Sequence, residues 1–186
     1  MVWGAANPVG KPTEAETPLR SVQIDGQVVM KIVKHCTEHA PTLVTGQLLG
    51  LDIGATLEVT DCFPFPNQDA NATAAEGEED DGANYQLEMM RCLREINVDN
   101  NTVGWYQSTY LGSYYTEELI ETFLAYQENI KRCVCVVYDP TKSASVGTFG
   151  LKALRLTDRF LEIHRAGEFT FDKIADKSLS WADIVC

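Results

Sequence analysis

The sequence lacks the features that mark several large functional classes. It has no uninterrupted apolar run of membrane-spanning length, and its first eighteen residues contain no apolar signal core. It also has no P-loop, no dinucleotide-binding glycine pattern and no Ser-His-Asp arrangement that chain order would indicate. These absences predict a cytosolic or nuclear protein without membrane contact, and they disfavour nucleotide-dependent and serine-hydrolase chemistry.

Positive charge is scarce. The chain has 15 lysines and arginines against 27 aspartates and glutamates, and its formal net charge is -12. The basic residues are scattered, and no aromatic and basic platform resembles a known RNA-binding module. We therefore expect no nonspecific affinity for nucleic acid or anionic membranes over most of the surface.

Cysteine and histidine occur without a recognisable metal-binding spacing. The six cysteines lack the dense spacing of a secreted scaffold and are expected to be reduced core residues. His35 and His39 would share a helix face, but Cys36 stands where the zinc-protease motif requires glutamate. Cys133 and Cys135 alternate on a strand, which favours core packing over zinc ligation. We therefore expect two solvated histidines and no metal site.

The length of 186 residues and an apolar fraction of 45% predict one domain with a sizeable core. Residues 1–19 are rich in proline, glycine and polar side chains and are expected to be a flexible lead. The domain then covers residues 20–186. Within it, residues 67–84 are rich in alanine, glutamate and aspartate and lack apolar periodicity, which predicts a disordered acidic insertion.

Apolar periodicity predicts the elements of an α/β fold in which a mixed β-sheet is flanked by helices. A short strand at residues 21–24 precedes a helix capped by Asp25, and residues 42–52 and 57–65 form a hairpin. Thr116 caps a later helix, residues 133–138 form a strand buried on both faces, Asp139-Pro140 turns the chain, and residues 148–156 form the next strand.

A further helix is predicted from Asn84 or Tyr85 to about Ile96. The side chains expected to be buried on this helix are Leu87, Met90 and Leu93. Met89 and Cys92 flank them. Methionines at this spacing are typical of core packing, but they also suit a surface for a partner helix. Both interpretations remain open from the sequence alone.

The most distinctive segment is Val-Gly-Trp-Tyr-Gln-Ser-Thr-Tyr at residues 103–110. It is predicted to be a buried strand that opens into a loop rich in glycine and tyrosine, where side chains with chemical roles are commonly placed. Simple alternation puts one set of residues on each face of the strand. The two sets are Val103, Trp105 and Gln107, and Gly104, Tyr106 and Ser108.

This segment resembles the Val-Gly-Trp-Tyr-His-Ser-His-Pro strand of the MPN (JAMM) domain family, in which the two histidines, a later aspartate and water coordinate a catalytic zinc. Gln107 and Thr109 stand at the histidine positions, and Tyr110 stands at the proline position. The aspartate position holds Ile120, and the position of a preceding serine holds Glu117.

The catalytic glutamate of the family precedes a Gly-x-Leu-x-Gly strand, which matches residues 46–50 and places Leu43 at the base position. The resemblance therefore implies an MPN domain without zinc ligands or catalytic base. No catalytic, cofactor-binding or metal-binding residue is predicted.

Other segments extend the resemblance over most of the ordered chain, at residues 22–26, 62–66 and 85–91. They are closest to an MPN subunit of eukaryotic translation initiation factor 3. The resemblance implies a cytoplasmic scaffold that pairs with the MPN-containing f subunit and supports assembly on the small ribosomal subunit. Family members continue with a further strand and a helical region, so the chain is expected to be a truncated fragment.

Two alternatives remain open from the sequence. One is an active zinc-dependent MPN isopeptidase, a deubiquitinase, that uses displaced ligands. The other is an MPN scaffold of a different assembly, such as the proteasome lid or the signalosome.

Overall fold

The fold is described from a computed structural model that covers residues 18–66, 78–95, 101–130, 132–147, 149–175 and 179–186. The predicted flexible lead, apart from its last two residues, lies outside this part of the chain, as do residues 67–77 of the predicted insertion. In the described residues, no helix is long and apolar enough to span a bilayer.

Six strands and seven helices are present in the described residues. In chain order they are β1 (Ser21–Ile24), α1 (Gly26–His39), β2 (Thr45–Ile53), β3 (Thr56–Pro64), α2 (Glu78–Glu95), β4 (Thr102–Ser108), α3 (Glu117–Asn129), β5 (Val134–Tyr138), α4 (Pro140–Val146), β6 (Leu151–Leu154), α5 (Asp158–Arg165), α6 (Asp172–Ala175) and α7 (Trp181–Ile184).

The strands form one sheet in the order β1-β3-β2-β4-β5-β6. The pairs β1–β3 and β4–β5 are parallel, and the other neighbours are antiparallel. This confirms the predicted mixed sheet with flanking helices. The hairpin is also confirmed, with Gly54 in its turn at a φ of 61°.

The sheet is covered on both faces, so two hydrophobic clusters form. On one face, Val28, Ile32 and Cys36 of α1 pack against β-strand residues that include Val59 and Val136. On the other face, α3, α5 and α7 pack against Trp105 and the alternate residues of β5. β5 is buried along its whole length, as predicted, because its side chains enter the two clusters in turn.

Cysteine burial agrees with the prediction for four of the six residues. Cys36, Cys62, Cys133 and Cys135 are buried and unbonded, and burial raises the pKa of the Cys36 and Cys62 thiols to about 12. The prediction is wrong for Cys92 and Cys186. These two are exposed, on α2 and at the last residue.

The two predicted N-cap residues, Thr116 and Asp25, differ in the hydrogen bonds that they form. Thr116 caps α3 as predicted, because its Oγ1 accepts a hydrogen bond from Leu119 N at 3.2 Å. Asp25 occupies the N-cap position of α1, but its side chain makes no capping hydrogen bond. The predicted cap residue is therefore confirmed by position and not by contact.

The α2 helix differs from the prediction in two ways. It begins at Glu78 and not at Asn84 or Tyr85, so residues 78–84 of the segment predicted to be disordered are helical. The predicted buried stripe is wrong, since no described side chain of α2 is buried and Leu87 is 69% exposed. The helix contacts the sheet through Tyr85, whose ring also lies edge-on to Phe63, and through Gln86. Tyr85 Oη donates to Pro64 O at 3.2 Å, and Gln86 Nε2 donates to Gln47 Oε1 at 2.6 Å.

The simple alternation predicted for β4 is interrupted. The pairing of β4 with β2 shifts between Leu48 and Leu49, so Val103 is an extra residue that packs on the same face as Tyr106, while Trp105 packs on the other. Gly104 adjoins this bulge with a φ of 149°, and a Cβ there would lie 1.9 Å from Val134 O. Glycine is therefore required by both conformation and space.

The end of the domain was predicted least well. Asp139-Pro140 starts α4 where a turn was expected, and β6 covers only four residues of the predicted strand at 148–156. Beyond it, Leu156 forms an isolated bridge with Val185. No helix was predicted beyond residue 156, although Thr157 caps α5 and begins the layer that closes one core.

Candidate functional site

The strands that carry the candidate site lie side by side at the centre of the sheet. β2 pairs with β4 so that Thr45 faces Gln107 and Gly46 faces Tyr106. A Cβ on Gly46 would lie 2.4 Å from the Tyr106 ring and 2.5 Å from Phe63 O, so only glycine fits there. Close packing against Tyr106 and Phe63 therefore explains why the first residue of the Gly-x-Leu-x-Gly segment is glycine.

Gln107 stands at the first predicted zinc-ligand position. Its side chain is half-buried, and its Oε1 accepts a hydrogen bond from Trp105 Nε1 at 3.2 Å. The amide oxygen therefore holds an indole N–H of the same strand. A carboxamide of this kind lacks the imidazole or carboxylate donors that bind zinc.

Thr109 stands at the second predicted ligand position and is 3% exposed. Its backbone N–H donates to Tyr138 O at 2.9 Å, which extends the parallel pairing of β4 and β5. Its Oγ1 is buried without a hydrogen-bond partner in the described part of the chain. The side chain therefore packs among its neighbours and presents no ionisable donor.

The two remaining predicted positions are both apolar but differ in their burial. Ile120, at the aspartate position, is completely buried in the α3 core. Leu43, at the base position, is 62% exposed. Leu43, Thr109 and Tyr110 border a cavity of about 10 Å³, which is at the lower limit for a single water molecule.

Glu117 and Tyr110, at the family's serine and proline positions, are both exposed. Glu117 lies in the first turn of α3, where its charge favours the helix N-terminus. Neither residue adds a buried ionisable group to the site.

A carboxylate that the sequence analysis treated only as a turn lies beside this site. Asp139 follows β5 directly and is buried, and its Oδ1 accepts hydrogen bonds from Thr141 N at 2.9 Å and Lys142 N at 3.2 Å. Burial acts to raise the pKa of Asp139, but hydrogen bonds outweigh it and lower the pKa, first the bond from the Thr141 hydroxyl to Oδ1 and then those from backbone N–H groups. Aspartate before proline is the signal of a helix N-cap with proline at N1, and it would have predicted this role.

The rival metal candidates are held by structural contacts. His35 Nδ1 lies 2.8 Å from Tyr106 Oη, and His39 Nδ1 donates to His35 O at 2.9 Å. The prediction of two solvated histidines is therefore wrong for His35, because it packs against the buried end of Tyr106. Burial, followed by the nearby His39, lowers the pKa of His35. Among the described residues, no three His, Cys, Asp or Glu side chains are grouped closely enough to bind a metal.

The zinc of the MPN family does not fit these residues. Its three ligand positions hold an amide, an unpaired hydroxyl and a buried hydrocarbon side chain, at Gln107, Thr109 and Ile120. Catalytic zinc requires three protein ligands from histidine, cysteine or carboxylate side chains. Fold and site together define an MPN-like chain with the strand arrangement of the family, in which these three positions hold none of the side chains that bind catalytic zinc.

The chain belongs to the JAB/MPN family. The family described as "JAB1/Mov34/MPN/PAD-1 ubiquitin protease" matches residues 17–132, which contain every element from β1 to α3. This confirms the resemblance inferred from the strand at residues 103–110.

Curated relatives narrow the assignment within the family. The Arabidopsis thaliana protein named as the h subunit of eukaryotic translation initiation factor 3 is 64% identical over 176 residues, which are 95% of this chain and 51% of that protein. Proteins of the same name from Dictyostelium discoideum and Nematostella vectensis are 51% and 46% identical, over 91% and 86% of this chain and 52% and 47% of their own lengths.

The chain thus spans about half the length of the curated relatives it matches. These names confirm the resemblance to an MPN subunit of initiation factor 3 that the sequence segments indicate.

Proposed function

We propose that the chain is the MPN part of a non-catalytic scaffold subunit of eukaryotic translation initiation factor 3. In this role it acts in the cytoplasm, pairs with the MPN-containing f subunit and supports assembly of the factor on the small ribosomal subunit. Its contact with mRNA is at most indirect.

The non-catalytic role rests on one observation. All four positions that would hold zinc ligands or the catalytic base are occupied by residues without the required chemistry, namely Leu43, Gln107, Thr109 and Ile120. Without zinc, the pKa of water stays far above neutral and does not fall to about 7, so the nucleophile of an isopeptidase does not form at neutral pH. The buried Asp139 is a poor replacement for the missing base, because the hydrogen bonds that its Oδ1 accepts at the start of α4 favour the charged carboxylate and its pKa is lowered.

The assignment to initiation factor 3 is supported by relatives that carry the name of its h subunit and match nearly the whole chain. Membership of an assembly implies partners, and two half-buried methionines on α2 provide apolar surface for one. The active isopeptidase and the lid or signalosome scaffold are not favoured, since neither the donor set nor the names of these relatives supports them.

Two measurements test the proposal. The tagged chain, expressed in eukaryotic cells, is expected to enrich the f subunit and other subunits of initiation factor 3 when bound proteins are identified by mass spectrometry. Predominant enrichment of proteasome-lid or signalosome subunits would contradict the assignment.

The purified chain is also expected to contain no stoichiometric zinc by elemental mass spectrometry and to leave ubiquitin chains intact. An active MPN isopeptidase serves as the positive control in the same assay. Stoichiometric zinc together with chelator-sensitive cleavage would establish the rival enzyme.

A further inference from the structure

Exposed apolar side chains are concentrated at the end of the sheet where β4 and β5 finish. Eight large hydrophobic side chains are exposed in the described residues, and five of them lie in segments that meet at this end, namely Leu43, Tyr110, Leu111, Tyr115 and Phe149. Leu43 and Tyr110 border the same small cavity. The ring centroids of Phe149 and Tyr138, the last residue of β5, are 6.2 Å apart. Such clusters commonly mark an interaction surface.

Leu111 has a backbone conformation that leucine rarely adopts. Its φ is 54° and that of Gly112 is 75°, and Ser113 N donates to Tyr110 O at 3.2 Å, so both central residues of this turn have a positive φ. Glycine, asparagine and aspartate are the residues that usually occupy such positions. The Leu111 side chain is also 71% exposed. Neither local conformation nor burial accounts for leucine here, which indicates a role outside the fold.

Two lysines supply positive charge beside these apolar groups. Lys152 Nζ donates to Tyr114 Oη at 3.1 Å, and the hydroxyl oxygens of Tyr114 and Tyr115 are 3.4 Å apart. Lys142 Nζ lies 2.7 Å from the point that a Cβ on Gly112 would occupy. Burial acts to raise the pKa of Tyr114, but its two hydrogen bonds and then the charges of Lys152 and Lys142 lower it. Both lysines are thus close to this hydroxyl, and neither forms an ion pair with another described residue.

The carboxylates of the described residues do not cancel this charge. None of them, including those that open α3, is among the groups that shift the pKa of Tyr114, Tyr115 or Lys152. Asp139 lies near Lys142 and offsets part of its charge, but this carboxylate is buried and does not meet a ligand. Lys152 has no such neighbour. The exposed ammonium groups therefore favour an acidic ligand.

The number and arrangement of these groups favour a protein carboxylate over nucleic acid. Two ammonium groups neutralise about two phosphates, which is too few to hold RNA against a chain of net charge -12. The Tyr115 ring already packs against Tyr114 and Trp181, with centroids 4.4 and 5.2 Å away, so it is not a free platform for a base. A protein segment with one acidic side chain beside an apolar one matches the small cationic cluster and the exposed Leu111 and Phe149.

We propose that a segment of a partner protein binds at this end of the sheet through one aspartate or glutamate and an adjacent apolar side chain. We call the surface the Leu111 face, and it consists of Tyr110, Leu111, Lys142, Phe149 and Lys152. The carboxylate accepts charge-assisted hydrogen bonds from the two ammonium groups, while the apolar side chain packs on Leu111 and Phe149. The proposal does not depend on which assembly the chain joins, so its failure would leave the proposed function intact.

A library of random short peptides displayed on phage tests the proposal. The purified chain is expected to enrich sequences in which aspartate or glutamate stands beside leucine, phenylalanine or another apolar residue. One enriched peptide is then synthesised, together with a version in which the corresponding amide replaces the acidic residue. Calorimetry is expected to show at least about tenfold weaker binding of the amide version.

Leu111→Asn separates binding from folding. Asparagine suits a positive φ better than leucine does, so the melting temperature is expected to stay the same or rise. The affinity for the acidic peptide is expected to fall about tenfold, because the apolar contact is lost. Ile53→Asn is the matched control, since Ile53 is also an exposed aliphatic residue but lies at the opposite end of β2. Its affinity is expected to be unchanged.

Lys152→Gln tests the charge. It is expected to weaken binding of the acidic peptide about tenfold and to leave binding of the amide version unchanged, because the amide has no charge to pair. Lys34→Gln is the control, since Lys34 is an exposed lysine on α1 that lies 3.9 Å from Glu38. If Lys152→Gln does not fold, Lys142→Gln takes its place.

Several results would overturn the proposal. They are a selection without enrichment of acidic residues, equal affinity of the acidic and amide peptides, and an equal loss in Leu111→Asn and Ile53→Asn. Tighter binding of a uridine oligonucleotide than of the selected peptide, lost in Lys152→Gln, would assign the Leu111 face to RNA. Dimerisation of the chain in analytical ultracentrifugation, lost in Leu111→Asn, would assign it to a second copy.

Discussion

The Ser108 hydroxyl accepts a hydrogen bond from the backbone N–H of Val44 at 2.8 Å, and this joins two buried residues that are 64 positions apart. It ties the end of β4 to the segment that enters β2, next to Leu43. The adjacent Thr109 hydroxyl is equally buried but has no partner in the described residues. At the end of β4, the Ser108 hydroxyl therefore stabilises the contact with the segment that enters β2, and the neighbouring Thr109 hydroxyl does not.

This contrast predicts opposite effects of removing the two hydroxyls. Ser108→Ala is expected to destabilise the fold by about 1–3 kcal/mol, because the buried Val44 N–H loses its acceptor. Thr109→Val is expected to be neutral or to stabilise the fold by up to about 1 kcal/mol, because it removes an unpaired buried hydroxyl. Urea denaturation of the two variants measures both effects.

Each variant is the control for the other, since the two sites are adjacent and similarly buried. A loss of stability of several kcal/mol in Thr109→Val would show that its hydroxyl has a ligand or partner. That result would reopen the question of a site at the second histidine position of the family.

Gly104 is expected to be intolerant of any side chain. Gly104→Ala would place a Cβ 1.9 Å from Val134 O on a residue with a φ of 149°, and β4 and β5 would have to separate. We expect a loss of more than about 3 kcal/mol, or failure to fold, measured by circular dichroism and thermal denaturation.

Gly26→Ala is the matched control for this prediction. Gly26 opens α1 and has nothing within 4 Å of an added Cβ. Alanine there is expected to leave stability unchanged or to raise it by up to about 1 kcal/mol. Similar behaviour of the two alanine variants would mean that the close pairing of β4 and β5 at Gly104 is wrong.

The sequence predicted the parts of the fold in which local pattern and tertiary packing agree. β5 is apolar throughout and is buried on both faces, and Thr116 has both the residue type and the position of a cap. At the candidate site, the absence of imidazole and carboxylate donors could be read directly from residue types at 107, 109 and 120. The resemblance to the MPN family identified those three positions as the zinc-ligand positions.

The failures occurred where packing overrides the local pattern. The amphipathic residues of α2 predicted a core stripe, but periodicity does not indicate whether a sheet is available to cover it, and Leu87 remains exposed. The alternation of β4 failed at Val103 because a bulge depends on the register of the neighbouring strand. The pairing of His35 with Tyr106 crosses 71 positions and has no local signal.

The contact between His35 and Tyr106 predicts a pH-dependent contribution to stability. Burial, then the nearby His39, lowers the pKa of His35 in the folded chain below its ordinary value of 6.5, and Glu38 acts in the opposite direction. The unfolded chain therefore binds a proton at a higher pH than the folded chain does. The free energy of unfolding should fall as pH drops through 6.5, and this contribution should level off below the folded-state pKa of His35.

The measurement is urea denaturation between about pH 5 and pH 8, with His35→Gln as the comparison. Glutamine can still accept from the Tyr106 hydroxyl but does not titrate, so the fall in stability near pH 6.5 should be smaller in the variant. Identical pH profiles for the two proteins would contradict the assignment of this contribution to His35.

The α2 helix provides the last prediction, which concerns the partner surface. Leu87 is exposed and Met89 and Met90 are only half-buried, while the helix is attached to the sheet by the polar contacts of Tyr85 and Gln86. Apolar side chains outside the core are typical of interfaces, and methionine adapts to a non-identical partner. We expect this helix to contact another protein of the assembly.

Met89→Asp and Leu87→Asp should therefore leave the domain folded but reduce co-purification of the partner protein at least about tenfold. Ile53→Asp is the matched control, because Ile53 is also a partly exposed aliphatic residue, at the end of β2 on the hairpin. Circular dichroism and thermal denaturation check the fold, and quantitative mass spectrometry of bound proteins measures the partner. Unfolding of Met89→Asp would place that methionine in the core, whereas intact folding and undiminished partner recovery in both variants would show that α2 is not the interface.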